Sequence, residues 1–145
     1  MTPSLSRLGR GLRVDLPAIH QPKPKQKYCA KRTEVDGISF ASRMEAAYYA
    51  HLRTLQKAGE VESFDCQPKF QLQPGYTDID GKKVRPIHYV ADFLVRYADG
   101  TERIVDVKGS PTAVFHLKRK MFGYVFRTER IVCVTKTRNG WREWT

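Results

Sequence analysis

The segment Asp106-Val107-Lys108 places a carboxylate and an ammonium group two residues apart in an apolar stretch. Side chains two apart in a strand point to the same face, so Asp106 and Lys108 point together and Val107 points into the opposite layer. A carboxylate binds a hard divalent cation, and an adjacent lysine can orient or help deprotonate the attacking water and offset negative charge. The pair therefore suits phosphodiester hydrolysis; the alternative is a purely structural ion pair.

A second acid, Asp92, lies in the preceding apolar stretch, and the connecting turn decides which face it reaches. A three-residue loop at 98–100 places Asp92 opposite Asp106. A two-residue loop instead places Asp92 opposite Val107, on the other face. We predict the three-residue loop, because Gly100 can adopt the left-handed conformation that closes such hairpins with a bulge.

Glu45 is the third candidate acid, and two interpretations of it stay open. It follows Ser42 by three residues at the start of a predicted helix. This is the spacing of a capping box, in which the glutamate satisfies an unpaired backbone N–H. The other interpretation is a metal ligand, because the remaining candidates need a further acid to hold an ion.

These residues resemble the PD-(D/E)XK nuclease superfamily. The matching positions are Asp92, then residues 106–108, with Glu45 from the preceding helix; Ala91 stands where the name has proline. A closer likeness, to a small phage-encoded nuclease family, covers about residues 36–126. It rests on residues 37–45, 59–61, 67–70, 89–93, 106–109 and 117–120.

The resemblance implies an α/β fold of the restriction-endonuclease type, with a mixed central sheet flanked by helices. It implies a Mg²⁺-dependent DNA endonuclease, for which Mn²⁺ substitutes, in phage DNA recombination or processing. The implied catalytic set is Glu45, Asp92, Asp106 and Lys108, and the implied metal ligands are the three acids and Val107 through its carbonyl. Gln67 recurs at this place in the family; it is either a supporting residue of the site or an edge-strand amide beside Pro68.

Small single-domain members of the superfamily that this chain resembles include Holliday-junction resolvases, which act as homodimers. The resemblance therefore predicts a homodimer that cuts branched DNA. Two alternatives remain. One is a transposase-type or nicking endonuclease of the same superfamily, and the other is a non-catalytic DNA-binding module with a degenerate nuclease fold. The intact set of acids argues against the second.

The formal net charge of +11 favours a polyanionic partner such as DNA. Residues 1–27 carry +5 of this charge and contain four prolines without a sustained apolar period. They are predicted to form a flexible basic tail, and residues 28–145 the nuclease domain. In the domain, the predicted DNA-contacting residues are Arg43, Lys118, Arg119 and Lys120.

No stretch of about 18 apolar residues occurs, so no membrane span is predicted. The N-terminus lacks the apolar core of a signal peptide. Three widely spaced cysteines fit neither a disulfide framework nor a zinc site. We therefore expect free thiols in a cytoplasm, which is the host cytoplasm if a phage encodes the protein.

The elements that must position the candidate residues follow from local patterns. The predicted order is a hairpin, a helix, strands, a second helix and a last strand. Ser42 and Gly59 bound the first helix, while Val114, Leu117 and Met121 are predicted to form the apolar face of the second. The predicted ranges are 35–40, 42–58, 61–72, 87–97, 101–108, a helix from 110, 130–135 and an end segment after 139–140.

Overall fold

The structure is a computed structural model that describes residues 32–144, so the predicted basic tail lies outside the described residues. Two helices occur in this range, α1 (Arg43–Lys57) and α2 (Ala113–Val125). The strands are β1 (Thr33–Val35), β2 (Ile38–Phe40), β3 (Val61–Cys66), β4 (Lys69–Gln73), β5 (Tyr76–Thr77), β6 (Lys83–Val84), β7 (Ile87–Val90), β8 (Phe93–Tyr97), β9 (Glu102–Val107), β10 (Ile131–Thr137) and β11 (Gly140–Trp144).

The central sheet has five strands in the order β11-β10-β9-β8-β3. Strands β9 and β10 are parallel, and the other neighbours are antiparallel. Alternate residues of β9 face different cores: Val105 and Val107 pack with α1, whereas Ile104 packs with α2. The fold is therefore α/β, with a mixed sheet between two helices, as predicted.

The ends of α1 lie where the sequence places them. Ser42 is the N-cap, and its hydroxyl accepts a hydrogen bond from the Glu45 amide at 3.1 Å. Gly59 follows the helix with φ +80°, a left-handed conformation that glycine adopts at low cost. Both signals are local, so the helix could be bounded without knowledge of its packing.

The predicted strands 61–72 and 87–97 are wrong in extent, because each is divided into two shorter strands. The two breaks lie side by side in the structure. Gln67 takes φ +55°, and Pro68 has no N–H to continue a ladder. Across the break, Gln67 N–H donates to the Asp92 carbonyl at 2.9 Å, and Ala91 N–H donates to the Pro68 carbonyl at 3.0 Å. Beyond this corner, β4 and β7 form a separate two-stranded ribbon, which carries the small β5–β6 hairpin.

The predicted apolar face of α2 is wrong for Val114 and Leu117, whereas Met121 is partly buried and packs against the core as predicted. Val114 and Leu117 are 62 % and 60 % exposed, while Phe115 and Phe122 are buried. Both pairs have helical spacing, and the larger aromatic rings occupy the space between α2 and the β4–β7 ribbon. The helix also begins later than predicted, because Thr112 rather than Ser110 is its N-cap.

Two further observations concern sequence-level expectations. Within residues 32–144 no helix is long and apolar enough to cross a membrane. Cys66 and Cys133 are free thiols, as predicted, and Cys29 lies outside the described residues.

Candidate active site

The hairpin between β8 and β9 has the predicted three-residue loop. Phe93 pairs with Val105, a register that carries Asp92 opposite Asp106. Gly100 has φ +85°, the left-handed conformation that this loop requires. The prediction that the two aspartates are cross-strand neighbours is confirmed, because the structure has the one of the two possible loops that brings both acids to the same face.

Asp106 is 1 % exposed and is the only charged residue buried in the described part of the chain. The Tyr89 hydroxyl donates a hydrogen bond to its Oδ2. Lys108 Nζ lies 2.8 Å from Oδ1, yet Oδ1 accepts no well-directed hydrogen bond within residues 32–144. Among the described residues, Oδ1 is thus shielded from solvent, and the Lys108 ammonium is its charged neighbour.

Asp92 lies at the corner between β7, which belongs to the β4–β7 ribbon, and β8, which belongs to the central sheet. Its Oδ2 accepts a hydrogen bond from the Val107 amide at 2.6 Å, in place of a strand carbonyl. Burial, then the charges of Asp106 and Glu45, raise the pKa of Asp92 to about 7. The folded chain thus holds acids close enough that ionising Asp92 is unfavourable near neutral pH.

Lys108 is charged in this arrangement. Burial of the ammonium acts to lower its pKa, but the contact with Asp106 and the charges of Asp92 and Glu45 outweigh burial, so the pKa is raised. The ammonium also lies 5.2 Å from the centre of the Phe115 ring, a cation–π contact. At neutral pH Lys108 is therefore a hydrogen-bond donor and a positive charge rather than a base.

Glu45 makes the contacts of a helix cap. Its carboxylate accepts hydrogen bonds from the Ala41 amide and the Ser42 hydroxyl, each at 3.1 Å. The capping interpretation is confirmed by these contacts, whereas the role of Glu45 as a metal ligand stays a prediction. Its influence on the pKa of Asp92 shows that the two carboxylates are electrostatically coupled.

A cleft of about 560 Å³ opens where α1 and α2 begin. Glu45 and Lys108 both line it, so the first helix and the end of β9 face one space. The N-caps of both helices also line it, and helix N-termini present backbone N–H groups that favour anions. The lining residues are Ser42, Met44, Glu45, Val107, Lys108, Gly109, Ser110, Pro111 and Thr112.

The acids do not form a compact metal cage in this conformation. Within residues 32–144, no three Asp, Glu, His or Cys side chains converge closely enough to hold an ion together. The donor chemistry nevertheless fits a hard divalent cation, because Asp106 Oδ1 is a buried carboxylate oxygen without a hydrogen bond. The ion would be held by Asp106 and Asp92, with Glu45 and the Val107 carbonyl completing the set.

The predicted DNA-contacting residues lie in several directions. Consecutive helix residues are about 100° apart, so Lys118, Arg119 and Lys120 cannot share one surface. Arg119 is partly buried and near enough to Cys133 to oppose the rise in the pKa of that thiol, whereas Lys120 lines a groove beside β4. Arg43 is exposed in the first turn of α1.

Gln67 touches the site through its backbone rather than its side chain. Its amide binds the Asp92 carbonyl, as described above, and its side chain donates to the Ser39 carbonyl at 3.3 Å. A small separate pocket, not the main cleft, is lined by Gln67 together with Arg32 and Ser39. Side-chain support of the site by Gln67 stays a prediction.

Sequence reasoning missed Tyr89, which is 3 % exposed and holds Asp106. Its ring packs against Phe70, Phe115 and Phe122. A buried tyrosine needs a partner for its hydroxyl, and that requirement is a usable signal. The partner could not be named, because Tyr89 belongs to the ribbon that leaves the central sheet.

Fold and cleft together define a mixed α/β protein with a buried acid–lysine pair at the end of a central strand. The chain belongs to a family described as a protein of unknown function, DUF1064, which matches residues 25–139. No curated protein and no solved structure matches the chain.

Proposed function

We propose that this protein is a Mg²⁺-dependent DNA endonuclease with the restriction-endonuclease type of α/β fold, as its resemblance to the PD-(D/E)XK superfamily implies. The observation that carries the proposal is the environment of the Asp106 carboxylate. A carboxylate is buried beside Lys108 with one oxygen free of hydrogen bonds, although burying a charge is costly. A divalent metal ion would supply the partner that this oxygen lacks.

The proposed ligands are Asp92, Asp106, the Val107 carbonyl and Glu45, and Mn²⁺ is expected to substitute for Mg²⁺. When bound, such an ion polarises the scissile phosphate and lowers the pKa of a bound water. Tyr89 keeps Asp106 in one orientation through its hydroxyl. Binding of the ion requires Asp92 and Asp106 to be ionised. Because the pKa of Asp92 is raised to about 7, its carboxyl group ionises only near neutral pH.

Lys108 acts as a donor in the proposed reaction. Its ammonium is held at the cleft by Asp106 and stays protonated, so it orients the attacking water and offsets negative charge on the phosphate. The N-termini of α1 and α2 face the same cleft and favour the anionic substrate. These groups are fixed before the substrate arrives, which limits the cost of reorganisation.

The proposed substrate is branched DNA, cut by a homodimer in phage recombination or DNA processing in the cytoplasm. Backbone contacts carry little base information, so selection by DNA structure suits this site better than selection by sequence. A transposase-type or nicking enzyme of the same superfamily would use the same residues on linear duplex.

A cleavage assay with four DNA substrates tests the proposal. The full chain is offered a four-way junction, a flap, a nicked duplex and a linear duplex, each with Mg²⁺ or with EDTA. We expect Mg²⁺-dependent cleavage that Asp106→Asn abolishes, because the amide keeps the shape but loses the charge that holds the ion. The matched control is Asp65→Asn, which removes an exposed carboxylate of β3 and should retain activity.

A second candidate is a DNA-binding module without catalysis. It is favoured by one observation: Glu45, Asp92 and Asp106 each have a partner within the protein, and no three acids converge in the described range. If the wild-type chain binds DNA with equal affinity in Mg²⁺ and EDTA and cuts none of the four substrates, this candidate replaces the nuclease.

A further inference from the structure

The β5–β6 hairpin presents an apolar side chain to solvent at its tip. Ile79 is 102 % exposed relative to an extended reference, the highest value among the large apolar residues described. Tyr76, at the start of the hairpin, is 52 % exposed. Single exposed apolar residues are common on protein surfaces, so the exposure gains meaning only from how the hairpin is built.

The tip is held rigid by one carboxylate. Asp78 Oδ1 accepts hydrogen bonds from the backbone amides of Asp80, at 3.0 Å, and Lys82, at 2.8 Å. The Asp78 amide also donates to the Lys82 carbonyl at 2.9 Å, and Gly81 takes φ +76° to close the turn. These bonds leave Ile79 at the apex with no freedom to fold back onto the protein.

The base of the hairpin is held equally tightly. A Cβ atom at Gly75 would lie 3.2 Å from the Val84 carbonyl oxygen and 3.3 Å from Pro86 Cδ. A larger residue at this position would require the neighbouring backbone to shift by a few tenths of an ångström. Proline fixes the backbone opposite it, so the hairpin leaves the β4–β7 ribbon in a defined direction.

Charges of both signs flank the exposed tip, and the three cations outnumber the two acids by one. The returning strand and its continuation carry Lys82, Lys83 and Arg85, all exposed. Of the two acids in the hairpin, Asp78 directs its carboxylate into the turn, which leaves Asp80 as the exposed acid. An exposed apolar side chain near cations suits DNA, which offers both phosphates and the apolar faces of bases. A protein surface that is only acidic or only apolar would satisfy one of these two features.

A neighbouring surface of α2 has the same composition. A groove separates the end of β4 from Lys120 and Tyr124 on α2. Tyr124 is 73 % exposed, and the Arg127 guanidinium lies 5.2 Å from its ring centre. Cations interleaved with exposed aromatic rings are typical of surfaces that bind nucleic acids.

We propose that the β5–β6 hairpin is a DNA-contacting arm in which Ile79 inserts as a wedge at an unstacked base step. Lys82, Lys83 and Arg85 hold the flanking phosphates. Apolar wedges of this kind enter DNA at kinks, where they replace lost stacking. A branch point is already partly unstacked, so the wedge costs less there than in linear duplex. The inference rests on the proposed function and names how its substrate is selected.

The experiment measures binding in EDTA, so that cleavage plays no part. A four-way junction and a linear duplex each carry 2-aminopurine, at the branch point or at the centre. We expect wild-type protein to raise the fluorescence of the junction, because the base unstacks. Ile79→Ser should remove that rise and weaken junction binding by about tenfold while leaving duplex binding nearly unchanged. Val114→Ser, which removes an apolar side chain that is 62 % exposed on α2, is the control.

The charge of the arm is tested separately. Lys82→Ala with Lys83→Ala should weaken binding to both DNAs, and the slope of log affinity against log salt should fall by about 0.9 for each lost phosphate contact. If Ile79→Ser binds the junction as tightly as wild type, the proposal that Ile79 is a wedge is overturned. If the same variant also dissociates a dimer in sedimentation, the tip contacts a second copy of the chain instead. Junction unstacking without cleavage in Mg²⁺ would support the arm and overturn the nuclease, whereas absence of DNA binding overturns both.

Discussion

The two layers that cover the central sheet differ in composition. On one face, α1 buries Ala46, Tyr48, Tyr49 and Leu52 in a core that contains no buried charge among the described residues. On the other face, α2 buries only Phe115 and Phe122. The α2 layer also contains Asp106, with Tyr89 above it.

The two layers contribute differently to the stability of the fold and to the candidate site. The α1 layer contains a continuous aromatic cluster through Phe40, Tyr49, Phe64 and Phe93, so most of its burial is favourable. The α2 layer holds a buried charge, which lowers stability unless something is bound. We infer that the α1 layer stabilises the fold and the α2 layer holds reactive groups at some cost in stability.

Glu45→Gln is expected to give the largest effect and to test whether the α1 layer takes part in chemistry. Glutamine also serves in a capping box, so the melting temperature should change little. If Glu45 is also a ligand, cleavage should fall by about a thousandfold, which corresponds to about 4 kcal/mol. The measurements are single-turnover cleavage and thermal unfolding.

The matched control is Ser42→Ala, which removes the cap and leaves the carboxylate. It should lower stability by about 1 kcal/mol and leave most of the cleavage rate. If Glu45→Gln cleaves like wild type, the α1 layer contributes only structure, and the division between the layers becomes sharper.

Truncation of one leucine in each layer is expected to give the next largest effect. Leu52 is fully buried under α1, so Leu52→Ala should destabilise the protein by about 3 kcal/mol through lost burial and a cavity. Leu117 is 60 % exposed on α2, so Leu117→Ala should change stability by less than about 0.5 kcal/mol. Urea unfolding of both variants measures this, and equal losses would contradict the comparison.

Asp92→Asn is expected to give the smallest effect, with an unusual sign. The pKa of Asp92 rises from 3.8 to about 7 on folding, so its ionisation lowers stability progressively as pH rises between these values. The amide can still accept the hydrogen bond from Val107. In EDTA the variant should therefore match wild type near pH 4 and be more stable than wild type at pH 8, and the difference should grow between these two pH values.

Thermal unfolding of both chains from pH 4 to pH 8 follows this difference. A variant that is less stable than wild type at pH 8 would show that the hydrogen bond of Asp92 outweighs its burial. Such a result would contradict the inference that ionised carboxylates on the α2 side of the sheet lower the stability of the fold.

The parts of the fold that the sequence predicted depend on neighbouring residues. Ser42 and Gly59 bound α1, and the loop at 98–100 sets the register that brings Asp92 to Asp106. Each feature is fixed by capping or turn chemistry within a few residues. The candidate pair of aspartates was therefore predictable without knowledge of the rest of the molecule.

The parts that the sequence did not predict depend on distant packing. Phe115 and Phe122 compete with Val114 and Leu117 for the buried face of α2, and periodicity alone does not choose between them. The choice requires the β4–β7 ribbon, which exists only because two strands bend together. The same bend brings Tyr89 over Asp106, so the residue that orients the acid was missed for the same reason.

The paired bend at residues 67–68 and 91–92 constrains how the sequence of this family can change in length. Two segments that are far apart along the chain turn at one level and are joined there by backbone hydrogen bonds. Inserting one residue before either corner would shift the strand beyond it by one position, so that its side chains exchange faces. Tyr89 would then point away from Asp106. A tolerated insertion on one side would therefore need a matching insertion on the other.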